Sequence, residues 1–246
     1  MCLTRILRDN LAILINEEFG PAHFNLGNAY LSLEKYHKAI EHFDLCMKHD
    51  GDDAMALCYI GEAYEQLNEL DLSKHYYKKS IALEPMLPEA WLGLGIVEDL
   101  LGSTKEGIVL IQKALDYDPE NAGIYHVLAG AYEKIEATEE ANYHYLKSLE
   151  LGPTDEEALN DYMAFLSSSS LSTAQHFILE FLDKHPQHIQ AHFNSCSTIS
   201  RATTSACISA FDSCNSAPTI RHSVPRSTTL FCGLCRRVDV ELYFGA

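Results

Sequence analysis

Apolar and polar residues alternate with helical spacing from residue 20 onward, in two runs that recur every 34 residues. Corresponding residues of successive units are of the same type when the chain is divided at these starting points: Gly20, Ala54, Pro88, Ala122 and Glu156. A fixed period of this length indicates a repeat architecture, because one unit alone cannot bury its apolar face and must stack on its neighbours. The pattern therefore predicts five stacked units.

Small and large side chains occupy fixed positions within each unit. Small residues fill positions 8, 20 and 27, where two helices are predicted to cross closely, and large residues fill positions 7, 11 and 24 beside them. Position 32 is a residue that ends a helix: Gly51, Pro85, Pro119 and Pro153. Each unit is thus predicted to be two antiparallel helices of roughly 14 and 15 residues. Every glycine within the repeats is expected to serve this packing.

These residues resemble the tetratricopeptide repeat family, whose signature orders Trp, Leu-Gly, Tyr, Ala, an aromatic residue and Pro. The third unit contains Trp91, Leu94-Gly95, Ala114 and Pro119, and four units share one register. The resemblance covers residues 20 to about 186 and implies an all-α fold, a right-handed α-solenoid of antiparallel helix pairs. Three tyrosines at position 11 are expected in the core: Tyr30, Tyr64 and Tyr132.

Both ends of the array are irregular. In the fifth unit Tyr162-Met163 replaces Leu-Gly, and Ser167 to Ser170 are predicted to form the turn between its helices. We divide the chain into residues 1–19, an N-terminal helix from an incomplete or capping repeat, residues 20–194, the repeat array, and residues 195–246, a tail. The array has units starting near 20, 54, 88, 122 and 156, and a partial sixth from about 189. Exposed repeat ends would allow self-association.

The tail has a different composition from the array. It is rich in Ser and Thr, contains five of the eight cysteines, and has 5 Arg and no Lys, whereas residues 1–194 have 11 Lys and 2 Arg. We expect it to be non-repeat and poorly ordered. Two interpretations stay open, a reading-frame shift and a genuine disordered or separately folded tail. Translating the coding DNA in three frames would separate them.

The charge and hydropathy of the chain argue against two classes of partner, nucleic acids and membranes. The formal net charge of -17 argues against nucleic acid, which requires a basic surface. No segment has the length of a membrane span or the form of a signal peptide, so we expect no membrane partner and a cytoplasmic location.

The sequence contains no motif that predicts an enzyme, a cofactor or a metal centre. It lacks the zinc-protease helix, the phosphate-binding glycine loop and the serine-elbow pattern. Cys232 and Cys235 could supply half of a zinc site, but a tetrahedral site needs four ligands. His185, His188 and His192 flank Pro186, which is expected to break any common helical face.

The resemblance implies a binding surface, because tetratricopeptide repeats hold ligands in the concave groove of their first helices. Carried over, the groove residues are Phe24, Asn25, Asn28, Tyr59, Glu62, Gln66, Leu92, Ile96, Asp99, His126 and Glu133. The subgroup that clamps a terminal carboxylate has basic residues where this chain has Phe24, Glu89 and Gly93, so a clamp is not expected. We expect a protein or peptide partner, helical or extended, with apolar anchors and basic flanks. The alternative is the substrate-recognition array of a larger enzyme or complex.

Overall fold

The chain is described by a computed structural model over residues 19–186 and 188. Within this part it forms ten α-helices and no strand, as the sequence predicts. The helices are α1 (Gly20–Leu31), α2 (Tyr36–Asp50), α3 (Ala54–Gln66), α4 (Leu70–Leu83), α5 (Pro88–Leu100), α6 (Thr104–Tyr117), α7 (Ala122–Lys134), α8 (Thr138–Leu151), α9 (Glu156–Ser169) and α10 (Leu171–Lys184). The predicted N-terminal helix, partial sixth unit and tail lie outside the described residues.

The first helix of each unit begins at the predicted residue, and local chemistry explains why. Asp53 accepts a hydrogen bond from the amide of Ala56 at 2.7 Å, and Asn121 and Asp155 cap α7 and α9 in the same way. The second helices end just before the predicted residues. Thus α2 stops at Gly51, whose φ of 92° is a left-handed conformation that glycine adopts readily.

The turn between the two helices of a unit is the same in the first four units. Position 15 has a positive φ in each of them: 58° at Glu34, 61° at Asn68, 88° at Gly102 and 60° at Glu136. The following amide donates back to the carbonyl of position 11, for example from Ala137 to Tyr132 at 3.0 Å. This closes the helix end in a Schellman-type turn and sets the direction of the second helix.

The fifth unit departs from this turn, and the predicted serine loop is wrong. Helix α9 continues through Ser169, so only Ser170 lies between α9 and α10. Ser170 has extended backbone and its hydroxyl accepts from the amide of Thr173 at 3.4 Å, which caps α10. Serine is compatible with helix as well as turn, and composition alone could not separate the two.

Small residues let the two helices of each unit approach closely, as predicted. A Cβ on Gly27 would lie 2.5 Å from the ring of Phe43, and a Cβ on Gly107 would lie 2.7 Å from the carbonyl oxygen of Gly95. Serines in these positions are buried and hydrogen-bonded: Ser80 donates to the carbonyl of Ala54 at 2.7 Å. The buried hydroxyls are thus satisfied within their own unit.

The position-11 tyrosines lie at the edge of the core rather than inside it. Each is half-buried and stacks on the ring at position 23 of the same unit. The stacked pairs are Tyr30 with His42, Tyr64 with Tyr76 and Tyr132 with His144, at centroid distances of 5.3, 5.4 and 5.2 Å. The small-large pattern could not specify this ring stacking.

Stacking of the units buries four apolar clusters, each built from two neighbouring units. Helices α1, α3, α5 and α7 contact one another in order, while each second helix packs against the next first helix. This is an α-solenoid, and it places the first helices side by side on one surface. In the described part, no helix is long and apolar enough to cross a membrane.

Candidate protein-binding surface

We call the surface formed by α1, α3, α5, α7 and α9 the first-helix face. All eleven predicted groove residues lie on the first four of these helices, and none is fully buried. They are distributed as Phe24, Asn25 and Asn28 on α1, Tyr59, Glu62 and Gln66 on α3, Leu92, Ile96 and Asp99 on α5, and His126 and Glu133 on α7. The predicted residues are therefore at least partly accessible, and they lie on four consecutive first helices.

Neighbouring first helices touch through residues 35 apart along the chain. The rings of Phe24 and Tyr59 lie 5.9 Å apart. His126 Nε2 is 2.9 Å from Asp161 Oδ2. Lys134 forms an ion pair with Asp99. The structure thus brings Phe24 to Tyr59, and it adds Lys134 and Asp161 to the face, both of which the sequence analysis missed.

Phe24 and Tyr59 form an aromatic patch at one end of the face. Both rings are half-buried and pack on Phe43, at centroid distances of 5.7 Å and 5.6 Å. Phe43 is fully buried and belongs to the second helix of the first unit. The patch is therefore held by the core, and part of its apolar surface stays exposed.

Glu62, Glu65 and Glu89 form an acidic patch beside the aromatic one. Burial raises the pKa of the neighbouring Cys58 thiol to about 12, and the charges of Glu89, Glu62 and Glu65 add to this shift. The three carboxylates therefore lie near the same side chain, although they come from α3 and α5. None of them forms an ion pair with Lys, Arg or His among residues 19–186.

Burial also raises the pKa of two carboxyl groups of the acidic patch, Glu62 and Glu65. The hydroxyl of Tyr77 donates a hydrogen bond to Glu65 at 3.2 Å, which opposes the shift only in part. Raised values mean that the ionised forms lose more hydration than the protein replaces. The acidic patch is thus short of positive charge.

Toward the other end of the face the acidic groups already have partners. Asp99 pairs with Lys134 and accepts from the Thr104 hydroxyl at 2.7 Å, while Asp161 pairs with His126. The Tyr145 hydroxyl donates to Glu133 at 2.8 Å. These contacts fix the side chains and distinguish this part of the face from the acidic patch.

A cavity of about 480 Å³ opens between α7 and α9, lined by Gly130, Glu133, Lys134, Tyr145, Asp161 and Ala164. The expectation that every glycine serves close packing fails here, because a Cβ on Gly130 would meet no atom within 4 Å. Position 9 is Gly130 in the fourth unit and Ala164 in the fifth, whereas the first three units have larger residues there. Comparing position 9 between units could have revealed this space from the sequence.

The histidines near the end of the array pack on an aromatic ring. The rings of His185 and His188 lie 4.7 and 5.5 Å from that of Phe181, and His192 is outside the described residues. Among the described residues, no group of three or more His, Cys, Asp or Glu is placed to hold a metal ion. Cys232 and Cys235 are also outside them.

Sequence profiles of known families match the first two units. One profile of the tetratricopeptide repeat covers residues 20–53, and a second covers residues 56–85. The chain is a tetratricopeptide repeat protein.

This tetratricopeptide repeat chain is similar to part of one protein in sequence and to two solved structures in fold. It is 33% identical over 79 residues to the BBSome complex member bbs-4 of Caenorhabditis elegans, which covers 32% of this chain and 17% of that protein. The APC/C hetero-tetramer Cut9-Hcn1 matches with a TM-score of 0.65 and 19% identity, over 78% of this chain and 38% of that one. YrrB, described as a TPR protein with an unusual peptide-binding site, matches with a TM-score of 0.51 and 18% identity, over 75% and 96%. The structural matches show the fold.

Tetratricopeptide repeats are generally non-catalytic scaffolds for protein-protein interaction, and the chain shares that architecture. No feature of the described part points to an enzyme.

Replacing Glu62 by Gln in this tetratricopeptide repeat chain is expected to stabilise the fold at pH 7 and to stabilise it much less at pH 4. Because the pKa of Glu62 is raised in the folded state, its ionisation opposes folding as the pH rises above the pKa of the unfolded state, and it has no effect where both states are protonated. The gain should be below about 1 kcal/mol, since a partly exposed carboxylate is screened by solvent. Urea unfolding of both proteins at the two pH values measures it, and an equal difference at both would contradict the assignment.

Proposed function

We propose that the chain is an interaction scaffold that binds a segment of a partner protein along the first-helix face, used as a concave groove. An apolar side chain of the segment packs on Phe24 and Tyr59, and a Lys or Arg beside it pairs with the acidic patch. The observation that supports this most is the acidic patch itself, which lies next to an accessible aromatic patch and forms no ion pair with a cation of residues 19–186.

A ligand would compensate the lost hydration of the acidic patch and cover the exposed apolar area of the aromatic patch. Carboxylates that are already partly desolvated gain more from an added cation than exposed ones do, because the cost of removing them from water has been met by folding. The aromatic rings offer apolar area that is rigid before binding, so little conformational entropy is lost there. Together the two patches select for a segment in which apolar and basic residues alternate.

The same surface argues against a terminal carboxylate as the ligand. Glu89 stands at a position where such a ligand would need positive charge, and its ionised group would repel the ligand. The similar protein YrrB, described as having an unusual peptide-binding site, supports peptide recognition as a use of this fold. The proposal includes a cytoplasmic location and no nucleic-acid or membrane partner, in keeping with the charge of -17.

Affinity capture with the full chain tests the proposal. Tyr59→Ala and Glu62→Lys are each expected to reduce recovery of the same captured proteins by about tenfold or more, as loss of a central contact does. Matched controls are Tyr143→Ala and Glu41→Lys, which change exposed residues on second helices and should leave recovery unchanged.

Two results would contradict the proposal. One is equal loss of captured proteins in the control variants, which would place binding on another surface. The other is a captured partner whose binding segment is acidic and whose affinity survives high salt, because the proposed electrostatic attraction weakens with screening.

A second candidate function is suggested by the similarity to bbs-4, which is described as a member of a complex. In that case the array would be the recognition part of a larger assembly that contains other activities. Recovery of the chain from its native source in a fixed stoichiometric complex would favour this candidate, whereas recovery as a free protein with exchangeable partners would favour the first.

A further inference from the structure

We propose that the cavity between α7 and α9 is a receptor for an arginine side chain of the bound segment. The inference rests on the proposed function, since the cavity is a second subsite on the same first-helix face. It names the guest residue for a cavity that contains one of the predicted groove residues, Glu133.

The space exists because two side chains are missing at equivalent positions. Gly130 and Ala164 are both at position 9 of their units, where Asn28, Glu62 and Ile96 fill the corresponding places. Gly130 has no atom within 4 Å of where its Cβ would be, so nothing in the fold requires a glycine there. A helical glycine is otherwise unfavourable by about 1 kcal/mol relative to alanine.

The lining suits a guanidinium group with an alkyl stem. Carboxylates come from two helices, Glu133 from α7 and Asp161 from α9, and Tyr145 of α8 also lines the cavity. The Tyr145 hydroxyl holds Glu133 at 2.8 Å, and His126 holds Asp161 at 2.9 Å. Each carboxylate is thus oriented by one contact and keeps lone pairs for further hydrogen bonds.

The charges around the cavity favour a cationic guest although Lys134 also lines it. The Lys134 ammonium forms an ion pair with Asp99 of the preceding unit, and the negative groups in the lining are the carboxylates of Glu133 and Asp161, which contact the Tyr145 hydroxyl and the His126 ring. A cation between two carboxylates is therefore complementary, and an acidic guest is repelled.

Arginine fits this lining better than lysine does. A guanidinium is planar and presents donors along two edges, so it can bind both carboxylates through parallel hydrogen bonds. An ammonium would act only as a point charge and would stay more strongly hydrated. The cavity thus predicts a preference between the two basic residues, which the acidic patch alone does not.

Titration of the full chain with Nα-acetyl-arginine methylamide tests the receptor without a known partner. The amide resonances of Gly130 and Ala164 are expected to shift in a saturable way. The citrulline analogue, which has the same shape and no charge, should bind about tenfold more weakly or worse, because it loses charge-assisted hydrogen bonds. The lysine analogue should fall between them. Equal shifts with arginine and citrulline, or no shift with arginine, would overturn the inference.

Gly130→Leu provides the decisive variant because it fills the cavity with a residue that favours helix. It should abolish the arginine-dependent shift at Ala164 while leaving helicity intact, and Ala82→Leu, at an exposed site of α4, should abolish nothing. Glu133→Gln keeps an acceptor for Tyr145 and removes the charge, and it should weaken arginine binding by about tenfold. An unchanged titration in Gly130→Leu would contradict the proposal.

Failure of this inference can be told apart from failure of the proposed function. If Gly130→Leu loses arginine binding but retains the captured partner that Tyr59→Ala loses, the partner does not use the cavity and only this inference falls. If Tyr59→Ala retains the partner while Gly130→Leu loses it, the cavity stands and the aromatic anchor falls.

Discussion

Truncating Phe43 to alanine is expected to lower the free energy of unfolding by about 3 to 5 kcal/mol. The ring is 0% exposed, packs against Phe24 and Tyr59, and fills the space that Gly27 leaves open. Removing it creates a cavity that rigid helices cannot close, in addition to the lost burial. The aromatic patch would lose its support at the same time.

Hydrogen exchange followed along the chain measures this loss where it occurs. Because neighbouring units of a solenoid unfold partly independently, amides of α1, α2 and α3 should lose protection before those of α9 and α10. Tyr143→Ala is the matched control, since Tyr143 is 58% exposed on a second helix. A uniform loss over all helices, or a loss of similar size in the control, would contradict the packing described for Phe43.

Alanine at two helical glycines is expected to have opposite effects. Gly107→Ala should lower the free energy of unfolding by about 2 kcal/mol, because the new Cβ would lie 2.7 Å from the Gly95 carbonyl and must push α5 from α6. Gly130→Ala should raise it by about 0.5 to 1 kcal/mol, because its Cβ meets nothing and alanine favours helix.

Thermal and urea unfolding of the two glycine variants and the parent protein decide between packing and propensity. Intrinsic helix propensity alone predicts stabilisation in both variants, whereas the structure predicts a difference of sign. Stabilisation by Gly107→Ala would mean that α5 and α6 cross less closely than described.

Most of the fold is predictable from the 34-residue period of the sequence. Helix starts at Gly20, Ala54 and Pro88 were predictable because each unit repeats the same packing problem, and its solution leaves small residues at the crossings and helix breakers at position 32. The position of a side chain on the first-helix face followed from the same register. The register therefore predicts that Phe24 and Tyr59 lie on one face, and in the structure their rings lie 5.9 Å apart.

The details of the face depend on contacts that the period does not contain. Lys134 pairs with Asp99, and His126 pairs with Asp161. In each pair the residues are 35 positions apart, and their contact depends on the side-chain conformations of two neighbouring first helices. The turn at position 15 is similar: Glu34 and Glu136 adopt positive φ, which their residue type disfavours, because the flanking helices require it. Both features emerge from packing rather than from local preference.

The four apolar clusters, each shared by two neighbouring units, have a consequence for a ligand that extends along the array. A segment that binds from Phe24 to Asp161 would contact all five units. It would therefore stabilise together units that otherwise unfold separately. Ligand binding should then slow proteolysis at distant inter-unit turns that the ligand does not contact. The cooperativity of unfolding in this protein would thus depend on the bound ligand.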